Sequence, residues 1–313
     1  MAQLNYENRI SLKSVTFGAE LEHTGLTRYD SCKTVCETLG CNSNTITHYR
    51  DHGLDAYKFL DHTGNVWKVV SDSSVTSAPE SCELVTPVLN YKGYEKIHDI
   101  LEALKSKGAY SNNTCGLHVH VSSQYMEEAA TIRKLLEHDY TRYDMIYLAT
   151  RGFKKWSQPQ KRELVESASK MSSVLSIKNL WYKTYAPFES QNEHYNESRY
   201  HGLNLHSLFQ GKGVEYRYFP SSFEWNEVKA YIDLSRGMLM DAVNSYKMRR
   251  YLYVDRPYNK VYDRNNRNSN MTIADCTIIK EDWLYKYSTL WDGYLDRMTI
   301  PLDSKHFLLK NFA

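Results

Sequence analysis

The stretch that most restricts how this chain can fold is Thr114-Cys115-Gly116-Leu117-His118-Val119-His120-Val121. Read with the two-residue period of a strand, His118 and His120 fall on one face, and Leu117, Val119 and Val121 fall on the other. One face is imidazole and the other is core. Phe17-Gly18-Ala19-Glu20-Leu21-Glu22 repeats the arrangement with two carboxylates, and Val214-Glu215-Tyr216-Arg217-Tyr218 repeats it with a carboxylate and a guanidinium. If these strands share a sheet, their polar faces merge into one charged floor, for which packing alone offers little reason.

The rest of the chain reads as the scaffold of such a sheet. Residues 11 to 24 alternate as a strand, with Val15, Phe17, Ala19 and Leu21 opposite Glu20 and Glu22. Asp30 or Ser31 caps an expected helix ending at Leu39-Gly40, and residues 41 to 65 read as polar, with turn signals at Gly53 and Gly64. Strands are expected at 65–70 and 81–86, the second carrying Glu83 and stopped by Pro87. Helical spacing marks 93–107, 126–149, about 160–178 and 224–251, and a hairpin is expected from 198–205 into 214–220. An Asn-rich loop at 258–270 and a helical stretch from near Glu281 complete the chain. The expectation is an α+β fold: a mainly antiparallel sheet backed by helices, one domain over 1–313 with a helical C-terminal extension from about 250.

Charge narrows the range of partners without excluding any. A net charge of +2 gives no reason to expect nucleic-acid binding, although 247–268 holds a local basic excess. No stretch approaches the roughly 20 apolar residues of a membrane span. Six cysteines over 313 residues do not form a disulfide framework, and with no apolar leader the expected location is the cytoplasm. Cys32, Cys36 and Cys41 with His48 and His52 lack the paired spacing of a zinc knuckle.

Together the polar strand faces offer Glu20, Glu22, Glu83, His118, His120, Glu215 and Arg217. Oxygen donors predominate, which favours Mg²⁺ or Mn²⁺ over zinc. A guanidinium among metal-binding carboxylates suits a ligand that bears phosphate. No GxxxxGK[ST] loop is present to hold a nucleotide in the Walker manner. The same cluster is also compatible with a metal-dependent phosphoesterase or nuclease, or with an inactive nucleotide-binding module.

The order of these elements carries a resemblance. Phe17-Gly18-x-Glu20-x-Glu22, then Trp67-x-Val69-x-x-Asp72-x-Ser74-Val75 with Glu83-Leu84-Val85-Thr86-Pro87, then Cys115-Gly116-Leu117-His118-Val119-His120, then Arg199-Tyr200 with Asn204, then Val214-Glu215-Tyr216-Arg217 resembles the putative amidoligase family. That family belongs to the carboxylate-amine ligase superfamily, which shares a catalytic fold with glutamine synthetase and glutamate-cysteine ligase. The likeness runs from about residue 15 to 220.

The resemblance implies a curved antiparallel sheet and an ATP-dependent ligase that joins a small-molecule or peptide carboxylate to an amine through an acyl phosphate. It implies that Glu20, Glu22, Glu83, His118 and Glu215 hold Mg²⁺ (or Mn²⁺) bridging the ATP phosphates, that His120 contacts a phosphate, and that Arg217 stabilises the transferring group. Arg199 is then a candidate for phosphate or carboxylate binding, and Asn204 for orienting its strand. Asp72 either takes a proton from the attacking amine or ends its strand.

Overall fold

Whether a strand can occupy the middle of a sheet depends on how completely its apolar face can be covered. The computed structural model describes residues 10–76, 79–150, 156–244, 294–296 and 298–310. Strand β1 (Thr16–His23) buries Phe17, Ala19 and Leu21 almost completely and takes a central place. On one side the sheet continues outward from β1 through β5 (Cys82–Val85), β4 (Val66–Val70), β3 (Leu54–Leu60) and β2 (Thr47–Asp51). On the other side lie β6 (Gly116–Ser122), β8 (Val214–Pro220) and the two-residue β7 (Leu203–Asn204). The order is β2-β3-β4-β5-β1-β6-β8-β7, every neighbouring pair is antiparallel, and the sheet is open. Helices back it, giving the expected α+β class.

The helices follow their apolar stripes. Thr27 caps α1 (Arg28–Thr38) by accepting from the Asp30 N–H, a few residues ahead of the expected cap. In α2 (Gly93–Ser106), Ile97, Ile100, Leu101 and Leu104 form one buried face. Helix α3 (Ala129–Thr150) packs on β8. The spacing predicts one helix over 160–178, and two are found: α4 (Arg162–Ala168) and α5 (Val174–Tyr185). The break is a capping event, since the Ser173 hydroxyl accepts from the Ser176 N–H and starts the second helix afresh. After the short α6 (Leu205–Phe209), α7 (Trp225–Asn244) lies against β6, β1, α2, α3 and α8 (Leu302–Lys310), and it is buried around most of its circumference. One hydrophobic cluster runs from Ile10 to Leu308. Among the described residues, no helix is long and apolar enough to cross a membrane.

Two local expectations change. Residues 41–65, read as polar with turns, contain the β2–β3 hairpin. Its strands are half exposed and lack clean alternation, but its tip shows the reason for pairing: His52 and Gly53 both have positive φ (47° and 81°), as a two-residue hairpin turn of the primed type requires. The expected 198–205 hairpin arm pairs with β8 only through Leu203 and Asn204. There the Asn204 side chain accepts from the His206 N–H and turns the chain into α6. The far end of the 224–251 helix, the basic 247–268 stretch, the 258–270 loop and the start of the expected Glu281 helix lie outside the described residues.

Pairing between β6 and β8 slips by one residue. Val119 faces Tyr216 but Leu117 faces Phe219, so β8 carries a bulge. The Tyr218 ring packs against the rings of Tyr143 and Tyr147 from α3 and sits so close to Gly202 that a Cβ there would lie 2.1 Å from it. Gly202→Ala should therefore destabilise the fold by about 1–3 kcal/mol or more through forced repacking. Thermal denaturation reads this directly, and a variant melting with the parent would show that the tyrosine yields freely.

Candidate functional site

Sheet register brings the polar residues together. Glu20 of β1 lies opposite His118 of β6, and His120 lies opposite Glu215 of β8. On the other side Glu22 lies opposite Glu83 of β5, which faces Val70 at the end of β4, just before the chain turns at Asp72. Because all neighbours are antiparallel and side chains alternate, these groups share one face while Leu21, Leu84, Leu117 and Val119 occupy the buried opposite face.

Glu20 is the hub. Its two carboxylate oxygens meet His118 Nδ1 at 3.2 Å and His120 Nε2 at 3.1 Å. His118 also lies 3.7 Å from both Glu22 and Glu215. Glu215 accepts from Arg217 and from the Asn204 side chain, each at 2.5 Å, and Glu22 accepts from the Gly116 N–H at 2.5 Å. Asn204 thus uses one end of its amide to start α6 and the other to hold Glu215. Ser207 on α6 contacts His120 Nδ1 at 3.2 Å. In the 72–74 turn, Asp72 accepts from the Ser74 N–H and hydroxyl, fixing its carboxylate over Glu83 and Glu22.

Two groupings emerge from the donor atoms. Glu20, His120 and Glu215 place one ligating atom each within 4.8 Å of one another, and so do Glu22, Asp72 and Glu83. The resemblance points to His118 as a metal ligand and His120 as a phosphate contact. In space it is His120 that joins Glu20 and Glu215, whereas His118 lies between the two groups. Asp72 joins the second group.

Charge balance differs between them. Burial raises the carboxyl of Glu20, but the charge of His120 and hydrogen bonds from both histidines outweigh that and hold it well below its usual range. Burial lowers the His120 imidazole, yet Glu20 and then Glu215 more than reverse this and raise it to about 9. For Glu215, burial is overcome by Arg217 and His120, leaving it at about 2. Glu83 is the opposite case: burial, then Glu20, Asp72 and Glu22, push it well above the normal value. Three crowded carboxylates without enough positive charge are what a divalent cation relieves, so the donor chemistry fits one.

Proton linkage makes this testable. Folded Glu83 keeps its proton at pH values where an unfolded glutamate has lost it, so without a divalent cation its contribution to stability falls as pH rises from the ordinary carboxylate range through its raised value. A cation favours the ionised form and removes that loss. Mg²⁺ should therefore raise Tm more at about pH 8 than at about pH 6. Scanning fluorimetry measures the difference, and an equal rise at both would contradict the assignment of Glu83.

The face opens into two cavities. The larger, about 390 Å³, is lined by Glu20, Asp72, Glu83, His118, His120, Arg199, Asn204, Glu215 and Arg217, with Lys68 and Lys212 also on its wall. Its volume is within the roughly 300–1,000 Å³ of ligand pockets. A smaller cavity of about 160 Å³ is lined by Glu22, Asp72, His118, Arg199 and Arg217 together with Trp156, Ser157 and Tyr200. Every residue singled out from sequence therefore lies on one of these two walls. Sequence reading missed Lys68, Lys212, Ser207, Trp156 and Tyr200 as wall residues. Of these, Lys68 was findable, since it alternates with Trp67 and Val69 on β4.

Wider comparison agrees with the residue pattern. A family model described as "Putative amidoligase enzyme" matches residues 13–239, well over half of the chain and a span containing every site residue named above. No curated protein matches the chain.

Proposed function

Because the chain belongs to the amidoligase family, whose name denotes a ligase-type enzyme, we propose that it is an ATP-dependent carboxylate-amine ligase working through an acyl phosphate. The observation that supports this best is the convergence of five carboxylates, two imidazoles and two guanidiniums on one polar face with two adjoining cavities. In this reading Glu20, His120 and Glu215 hold one divalent cation, and Glu22, Asp72 and Glu83 hold a second, with Mg²⁺ or Mn²⁺ suited to the oxygen-rich set. Such ions neutralise charge on the phosphoryl oxygens of bound ATP.

The chain's own groups have defined tasks. Asn204 and Arg217 keep Glu215 ionised and oriented, and His118 does the same for Glu20. Lys68 and Lys212 supply positive charge to the larger cavity, which takes the nucleotide. A carboxylate oxygen of the acid substrate attacks the γ-phosphorus, and the bond to the β,γ-bridging oxygen breaks with its electron pair leaving on ADP. Arg217 then stabilises charge spread over the moving phosphoryl group. In the second step an amine nitrogen attacks the acyl carbon, the carbon–oxygen bond to phosphate breaks with its electron pair leaving on phosphate, the nitrogen gives up a proton to a nearby base, and an amide forms. Its substrates are a small-molecule or peptide carboxylate and an amine.

Hydroxylamine intercepts acyl phosphates, so it tests the reading without knowledge of the amine. Incubation with Mg²⁺, ATP, hydroxylamine and a panel of carboxylic acids should give ADP and a hydroxamate in equal amounts. Cleavage of a phosphodiester in the absence of ATP, with no hydroxamate from any acid, would replace ligation by hydrolysis.

A further inference from the structure

The smaller cavity contains a charge that its surroundings do not neutralise. Arg199 makes no ion pair among the described residues, and its Nε is buried without an acceptor. Its guanidinium is held between two rings, 4.7 Å from the centroid of Tyr195 and 5.3 Å from that of Tyr200. Such stacking fixes the plane of a guanidinium while leaving its N–H edge to an anion. The other guanidinium on this wall, Arg217, is already paired with Glu215 at 2.5 Å.

The anion is better placed in the small cavity than in the large one. The larger cavity has its own cations for phosphates in Lys68, Lys212 and the His120 side chain, whereas the smaller one has only Arg199 and the paired Arg217 among lysines and arginines. The small space, about 160 Å³, falls below the roughly 300–1,000 Å³ of pockets that enclose larger ligands. A nucleotide does not fit it. The Trp156 and Tyr200 rings, tilted with centroids 4.7 Å apart, line it with Ser73, Ser74, Thr114 and Ser157, and the hydroxyls of the last three are already bonded to Asp72, Asn112 and Tyr147.

We propose that this cavity is the acid-substrate site, that Arg199 takes the carboxylate, and that Trp156 and Tyr200 restrict the substrate to small carboxylic acids. The inference rests on the ligase reading for the fate of the bound acid but not for its binding. The attacking oxygen would then start beside Asp72, Arg199 and Arg217, the residues common to both cavity walls together with His118.

Binding and turnover are therefore measured separately on the full chain with Mg²⁺. Saturation-transfer NMR without nucleotide should show glycolate binding and octanoate not binding, with Arg199→Gln weakening glycolate by about tenfold or more through loss of a charge-assisted contact. The same substitution should change ATP affinity less than acid affinity. Trp156→Ala should admit octanoate, and Trp156→Phe, which keeps a ring, should not. The proposal is overturned if glycolate and octanoate bind alike, or if Arg199→Gln weakens ATP while sparing glycolate. Selective glycolate binding sensitive to Arg199, with no hydroxamate formed from any acid, would instead uphold the site and remove the ligase reading.

Discussion

Glu20→Gln should lower ATP-dependent turnover by about 10³-fold, roughly 4 kcal/mol of transition-state stabilisation, while leaving the protein folded. The carboxylate contributes to one grouping of potential metal ligands and is the direct partner of both histidines, so the amide removes a charge from the centre of the network. A second consequence is independent of chemistry. Burial alone lowers the His120 imidazole, and it is chiefly the charge and hydrogen bond of Glu20 that raise it to about 9. In Glu20→Gln the imidazole should lose its proton at a clearly lower pH, which histidine NMR titration reads residue by residue. If His120 still titrates near its original value, Glu20 is not what holds that proton, and the account of the site is wrong at its centre.

Arg236→Met should be the most damaging change to stability outside the site. Arg236 is 2 % exposed on α7, and its guanidinium donates to the carbonyls of Leu12 and Val15 at 2.6 and 3.0 Å and to the Tyr94 hydroxyl at 2.6 Å. It also lies 3.6 Å from Asp233, which Lys229 reaches from the same helix and Ser304 reaches from α8 at 2.7 Å. One side chain thus ties the entry to β1, α2 and α7 to a buried acid. Methionine fills much of the volume but leaves three acceptors and part of the countercharge unmet, a loss of about 3–5 kcal/mol. At about 2–4 °C per kcal/mol for a chain of this class, Tm should fall by roughly 10 °C. Removing Asp233 as well, as Asn, should recover part of that loss because the buried acid would keep only Lys229 as countercharge. A drop below about 2 °C would show that water replaces the guanidinium.

Legibility followed burial. The strands β1, β5, β6 and β8 were readable because each has one covered face, so apolar and polar residues must alternate, and the polar residues of the site stand on the other face. The β2–β3 hairpin escaped because an edge ribbon is wet on most sides and need not alternate. Pairing across the sheet, which no single strand records, decides that Glu20 meets both histidines and that His120 stands opposite Glu215. Asp72 joins Glu22 and Glu83 only because β4 delivers it to the end of β5. Trp156 and Ser157 were the least visible. The hydroxyls of Tyr143 and Tyr147, a turn apart on α3, both donate to the Ser157 carbonyl, and the Trp156 carbonyl accepts from Arg217. These two tyrosines pin one segment beside the site.

The bulge in β8 separates what this protein can change from what it must keep. Upstream of the slip, Glu215 stays in step with His120. At the slip, the extra residue lets Tyr218 reach Tyr147, which holds the segment bearing Trp156. Variation in Trp156 and its tyrosine props can therefore remodel the smaller cavity while the register of the acidic floor is untouched. A lineage built on this sheet could reshape that cavity repeatedly, each time inheriting the same carboxylate and imidazole floor without having to rediscover it.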